Sequence, residues 1–183
     1  MEIIDNVHKT WRDDLALTIK QGSKLSIAAS CFSIYAYQEL RKELEGIEEL
    51  RFIFTSPPFI TDKANKEQRE FYIPRLNREG SLTGSEFEIL LRNELTQKAI
   101  ARECAEWIRK KVRFKSNCTK ENMMGFGVVD NCAYMPLTGF TTVELGVERG
   151  DNAYTMIQKS EAPFSQSYTQ LFEQLWQDKE RLQ

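Results

Sequence analysis

Histidine is nearly missing from this chain: His8 is the single one among 183 residues. A Ser-His-Asp or Cys-His centre needs an imidazole as its base, so nucleophilic catalysis of that kind would have to rest on His8 alone. Its surroundings, MEIIDNVHKTWRDD, carry an apolar stripe through Val7 and Trp11 and leave His8 at the polar margin. HExxH, clustered Cys and His, and DxDxDG are all absent, which removes the familiar routes to a bound metal. Also absent are GxxxxGK[ST] and GxGxxG, so no recognised loop cradles a nucleotide phosphate. The four cysteines, Cys31, Cys104, Cys118 and Cys132, show no CxxC spacing and read as reduced, small hydrophobes. No apolar run approaches the roughly 20 residues of a membrane span, and the acidic amino terminus lacks the layout of a secretory signal. A cytoplasmic chain without cofactor, metal or membrane is expected.

What the sequence does hold is ordinary for a globular α/β domain, at 41% hydrophobic and 28% charged residues with a net charge of -2. That balance excludes a domain-wide attraction to DNA or anionic lipid, so any nucleic-acid contact must be local. The length suits one domain over residues 1–183. The organising stretch runs from Ser23 to Pro58. Lys24 to Ser30 alternates as a strand, and Ser33 is placed to cap a helix carrying Ala36, Leu40, Leu44 and Ile47 at helical spacing. Gly46 stops that helix, and Leu50 to Thr55 forms a second strand before two prolines. Such a β-α-β unit favours a parallel pair with a right-handed crossover, which opens both carboxyl ends on one edge, where ligands of open sheets sit. Ser30, Thr55 and Ser56 mark that edge. Thr142 and Glu144, on a later predicted strand, are expected to join them.

Elsewhere the spacing of Ile4, Val7, Trp11, Leu15 and Ile19 predicts a first helix from about Glu2 to Gln21, ended by Gly22. Residues 57–84 read as a long polar loop or arm, with Phe71, Tyr72 and Ile73 among charges. Ser85 is a candidate cap for a helix from about Glu86 to Lys111, whose stripe runs through Phe87, Leu90, Leu91 and Leu95 and on to Ile100, Cys104, Trp107 and Ile108; Thr96 is a possible break between two tandem helices. Val112 to Lys115 is a strand. Arg109, Lys110, Lys111, Arg113 and Lys115 crowd this passage as a candidate phosphate-binding patch, although the helix dipole alone also favours cations there. Three short strands are expected from MMGFGVVD, CAYMPL and FTTVELGVE, with turns at Asp130-Asn131 and Thr138-Gly139; residues 151–162 fit no element clearly. A closing helix is predicted from a capping box of Ser167 and Gln170, carrying Tyr168, Leu171, Phe172, Leu175 and Trp176, with no natural stop in QDKERLQ.

IIDN, SKLSIAASCFSIYAYQEL, LRFIFTS, VELG and FEQLWQD together resemble the phospholipase-D-like amino-terminal domain of bacterial Swi/Snf-type helicases, over essentially the whole chain. The resemblance implies an α/β phospholipase-D-like sandwich, a mixed, mostly parallel sheet flanked by helices. It also implies a longer helicase chain continuing past Gln183, with nucleic acid and the helicase lobes as partners and a homodimer as a further arrangement. Active relatives carry a His-x-Lys motif, which by resemblance falls on NMMGFGVVD; that stretch has neither residue. Of the trailing Asn-x-Glu, Glu144 matches and Thr142 departs. The domain is therefore expected to lack catalytic residues and to bind nucleic-acid backbone or dock. The alternatives are a protein-interaction domain without DNA affinity and a half-site of a phosphodiesterase.

Overall fold

In the computed structural model the β-α-β unit forms the middle of the sheet. The structure describes residues 1–55 and 86–183, with side chains of the long helix from Lys98 onward. β1 is Glu2–Ile4, α1 Trp11–Thr18, β2 Lys24–Ala29, α2 Ile34–Glu39, α3 Arg41–Glu45 and β3 Glu49–Phe54. After residue 85 come α4 (Glu86–Lys111), β4 (Val112–Ser116), β5 (Phe126–Val129), β6 (Cys132–Met135), β7 (Ile157–Ser160) and α5 (Ser165–Gln177). The seven strands make one sheet in the order β1-β7-β6-β5-β2-β3-β4. β2, β3 and β4 run parallel, with Ile27 beside Phe52 and Phe52 beside Phe114. The other four pairings are antiparallel, so the sheet is mixed but mostly antiparallel, a correction to the expected parallel majority. The reason is local: hairpin β5-β6 turns on Asp130 at φ 50° and attaches to β2 antiparallel, and β1 closes on β7.

Alternation along the strands makes two cores. Leu25, Ile27 and Ala29 of β2 and Leu50, Phe52 and Phe54 of β3 face Trp11, Leu15, Leu40, Leu44, Cys104 and Trp107. Ala28 and Ile53, one residue out of phase, face Phe126, Val128, Phe172 and Leu182 beneath α5. Each such large side chain stabilises the fold by about 1.5–3 kcal/mol on burial. Ser33 caps α2 as expected, accepting from the Tyr35 amide at 3.2 Å. The helix after it is two short pieces rather than one, dividing at Leu40, whose burial with Leu44 and Ile47 follows the predicted stripe. α4 is unbroken through Thr96. Ser56, Ser85, the arm of residues 57–84 with Phe71, Tyr72 and Ile73, and the side chains of Phe87, Leu90, Leu91 and Leu95 lie outside the described residues.

Four expectations are overturned. The predicted first helix is instead a strand, a loop and a short helix, with Val7 79% exposed. Asp5 Oδ1 accepts from the amides of Val7 and His8 at 2.9 and 2.8 Å, and Asn6 adopts φ 58°, so side chains take the amides a helix would need. Helix α1 starts only where Thr10 accepts from the Asp13 amide at 3.1 Å, and it ends at Thr18, before Gly22. FTTVELGVE is no strand: Leu145 N donates to Thr141 O and Thr141 Oγ1 accepts from Glu144 N, which winds the segment into turns. The seventh strand comes from the unassigned region, as Ile157–Ser160. α5 begins at Ser165, two residues before the predicted cap, because Ser165 N and Gln166 N donate to Glu161 O and Pro163 O. It also stops at Gln177: Asp178 accepts from the amides of Glu180 and Arg181 and turns the tail, so that Gln183 pairs with Ser116 and Leu182 is buried.

Candidate functional site

The carboxyl ends of β2, β3 and β4 meet on one edge, as the parallel pairing requires. Across the end of β2 lies the loop from Thr138 to Glu144. Ser30 donates to Thr138 O from both its amide and its hydroxyl, at 2.8 and 2.7 Å. The Phe140 amide donates to Cys31 O, and Ser33 N donates to Phe140 O, each at 2.9 Å. Glu144 folds back so that Oε1 accepts from the Thr138 amide at 3.0 Å. Gly139 permits this closeness, since a Cβ there would lie 2.6 Å from Cys31 Sγ. Ser30 and Glu144, singled out from the sequence, are thus joined through the backbone of one residue, Thr138.

Burial mutes their chemistry, against those bonds. Burial pushes the Glu144 carboxyl up, and the Thr138 amide only partly offsets it. The Cys31 thiol is raised by burial and further by the Glu144 charge, against the lowering hydrogen bond of Ser30. A thiol raised in this way is a poor nucleophile. Thr55 belongs to another junction: its amide donates to Ala29 O, and its carbonyl accepts from Asn117 Nδ2 at 3.0 Å. Asn117, fully buried, also donates to Glu121 O and accepts from both the amide and the hydroxyl of Thr119. It locks the end of β4 to β3, a role that nothing in its sequence context announces. Thr142 is buried and directs its hydroxyl to Glu148 Oε2 at 2.9 Å, leaving the edge. Ser56 lies outside the described residues. His8 sits on an exposed loop with Nδ1 2.7 Å from Asp5 Oδ2, an ion pair that raises its pKa. Among the described residues no cluster of three acidic, His or Cys side chains is arranged to hold a metal ion.

The five cations predicted as one patch are divided by the sheet. Arg113 pairs with Glu49 and lies over Trp176, and Lys115 Nζ sits 4.8 Å from the Trp176 ring while donating to the Trp176 carbonyl at 2.7 Å. Arg51 covers the same ring and pairs with Glu173, so this face is an aromatic and cation stack beneath α5. Lys111 Nζ donates to Ile47 O at 2.7 Å, finishing the C-terminal end of α4 against the loop before β3. Arg109 and Lys110 stay exposed, with no ion-pair partner among the described residues.

Two of the grooves among the described residues lie against the segments discussed so far. One, about 440 Å³, runs between Asp5–Val7 and the loop from Val143 to Thr155, with Glu144 in its wall. The other, about 230 Å³, is apolar and lined by Met123, Met124, Met135, Tyr168, Leu171 and Leu175. No helix among the described residues is long and apolar enough to cross a membrane. Neither the models of known protein families nor the curated proteins contain a match to this chain.

Proposed function

We propose that this chain is a non-catalytic phospholipase-D-like domain that serves a Swi/Snf-type helicase in the cytoplasm as an accessory module, holding nucleic acid by its backbone. The resemblance supplies the helicase context, and a mixed sheet with helices on both faces is in keeping with the sandwich it implies. The observation that carries the non-catalytic reading is the occupied edge. The Ser30 amide and hydroxyl, Glu144 Oε1 and the Cys31 carbonyl are engaged by the 138–140 backbone, and the carboxyl and thiol are both shifted toward their neutral forms by burial. An in-line attack on phosphorus needs an activated nucleophile, and neither the Ser30 hydroxyl, which donates to Thr138 O, nor the Cys31 thiol, raised by burial, supplies one. Backbone contact then falls to exposed cations, of which Arg109 and Lys110 remain from the predicted patch.

Protein docking is the second reading. It is favoured by the methionine-lined groove, where Met124 is 64% and Leu171 43% exposed, because methionine surfaces adapt to varied partners. A phosphodiesterase half-site would need its nucleophile from a second subunit. The test combines DNA retention with turnover of a chromogenic phosphodiester. DNA held and left uncut, with no turnover, is expected; turnover that disappears in Glu144→Gln would overturn the non-catalytic reading.

A further inference from the structure

Helix α5 meets solvent without charge. At about 100° per residue, Gln166, Gln170, Gln174 and Gln177 fall within roughly 80° of one another, on the pole opposite the buried Phe172. All four are exposed, as are Ser167, Thr169 and Leu171, and none of these seven residues is charged. In α4, by contrast, six of the eight exposed residues between Lys98 and Lys111 are charged, which is how a helix face turned to water is ordinarily built. The one charged residue of α5, Glu173, gives both carboxylate oxygens to Arg51. Along the chain, the next charges stand beyond the helix ends, Glu161 before it and Asp178, Lys179 and Glu180 after it. Arg181, on the rim of the methionine-lined groove, is held by Glu121 and Asp178.

Beside the glutamine row runs an apolar flank. Leu171 and Met124 line the groove and are 43% and 64% exposed, and Phe164, seven residues before Leu171, is 67% exposed on the same side of the helix. A patch depleted of charge and bearing methionine and aromatic side chains has the composition of a protein interface. It offers nothing to select a phosphate backbone or a strongly charged peptide. An amide carries donors and an acceptor in one planar group, so two glutamines satisfy each other and a row of them complements a second such row. Among the described residues no other helix carries a row of exposed amides. The surface of this chain that matches the row is therefore the same row on another copy.

We infer that the exposed face of α5 is where a second copy of this chain packs about a two-fold axis, glutamine row against glutamine row, with Leu171 and Met124 covered at its side. An antiparallel crossing also sets the two helix dipoles in opposition. The inference names a partner for the groove of the docking reading, and it stands whether or not the chain holds nucleic acid.

The test is sedimentation equilibrium of the full chain, freed of nucleic acid, from about 1 to about 100 µM protein and at about 50 and 200 mM salt. Compared with wild type are Q170E/Q174E, which sets like charges across the axis, the milder Q170A/Q174A, and Q21E/Q38E, the same charge change at exposed positions on the other side of the sheet. Circular dichroism checks that each variant is folded. Wild type should pass from monomer to dimer as concentration rises, with a dissociation constant that changes less than about twofold between the two salts. Q170E/Q174E should weaken the dimer by about tenfold or more, with Q170A/Q174A intermediate and Q21E/Q38E close to wild type. Equal weakening in Q170E/Q174E and Q21E/Q38E, or association that falls steeply with salt, would overturn α5 as the pairing face. Wild type that stays monomeric throughout would overturn the pairing itself; its binding of the apolar dye anilinonaphthalenesulfonate, kept or absent, then shows separately whether the groove still stands as a docking surface.

Discussion

Asp14 is the most constrained charged group described, 1% exposed and enclosed by Lys9 Nζ at 2.8 Å, Lys159 Nζ at 3.1 Å and Tyr134 Oη at 2.6 Å. Burial alone would raise its pKa, but the hydrogen bonds from Lys9, Tyr134 and Lys159 together outweigh that and hold the carboxyl below its usual range. It therefore stabilises the fold fully above the unfolded value of about 3.9, and that contribution is lost as pH falls through the lower folded value. Asp14→Ala leaves the largely buried Lys159 ammonium without its anion, while Lys9 keeps Glu2, and should cost about 3 kcal/mol at neutral pH in urea denaturation, with a smaller cost in acid. Glu144 has the opposite sign. Its folded pKa is raised by burial, so the fold prefers the protonated form below about pH 4.3 and loses that preference as pH rises through the folded value. Gln keeps the acceptor for the Thr138 amide without the charge, so Glu144→Gln should raise the urea midpoint at pH 7 and leave it unchanged below about pH 4. A lowered midpoint at pH 7 would show that the charge itself holds the edge together.

The tail after α5 behaves as an added strand. Gln183 exchanges two backbone hydrogen bonds with Ser116, Cys118 N donates to Arg181 O, and Leu182 enters the core under α5 at 3% exposure. Leu182→Ala should cost about 2–5 kcal/mol in urea denaturation, and a change below about 0.5 kcal/mol, typical of surface sites, would mean that the tail is not docked in solution. The tail, like the first segment, shows where sequence patterns stop being sufficient. β2, the capped helix and β3 were legible because period-two and helical spacing separate cleanly there, with Ser33 and Gly46 as punctuation. The same helical spacing misleads from Ile4 to Trp11, since it does not weigh Asp5 and Asn6 competing for backbone amides. β-branched Thr141, Thr142 and Val143 suggest a strand, yet the Thr141 hydroxyl caps a turn instead. Ser30 and Glu144 could be named from the strand edge, but their meeting at Thr138 depends on a contact 108 residues apart in sequence. The basic cluster was visible as composition; its division followed only from β4 alternating its side chains across the sheet and Lys111 ending a helix on the other face.

At the scale of the whole molecule a net charge of -2 coexists with exposed cations at Arg109 and Lys110, so under the proposed function attraction to nucleic acid would be local and short in range. The proposed function joins two observations: a sheet whose carboxyl edge is engaged by its own 138–144 loop, and exposed cations at the end of α4. On that proposal the module would add affinity without reading sequence, since phosphate contacts position a duplex but do not distinguish its bases. The most direct measurement is equilibrium binding of the wild-type chain to two duplexes of unrelated sequence across about 50 to 200 mM salt. If Arg109 and Lys110 each contact a phosphate, the account predicts a logarithmic slope of about -2, the same for both sequences. No binding at the lowest salt, or an affinity that does not change with salt, would contradict it and leave the methionine-lined groove as the surface to pursue.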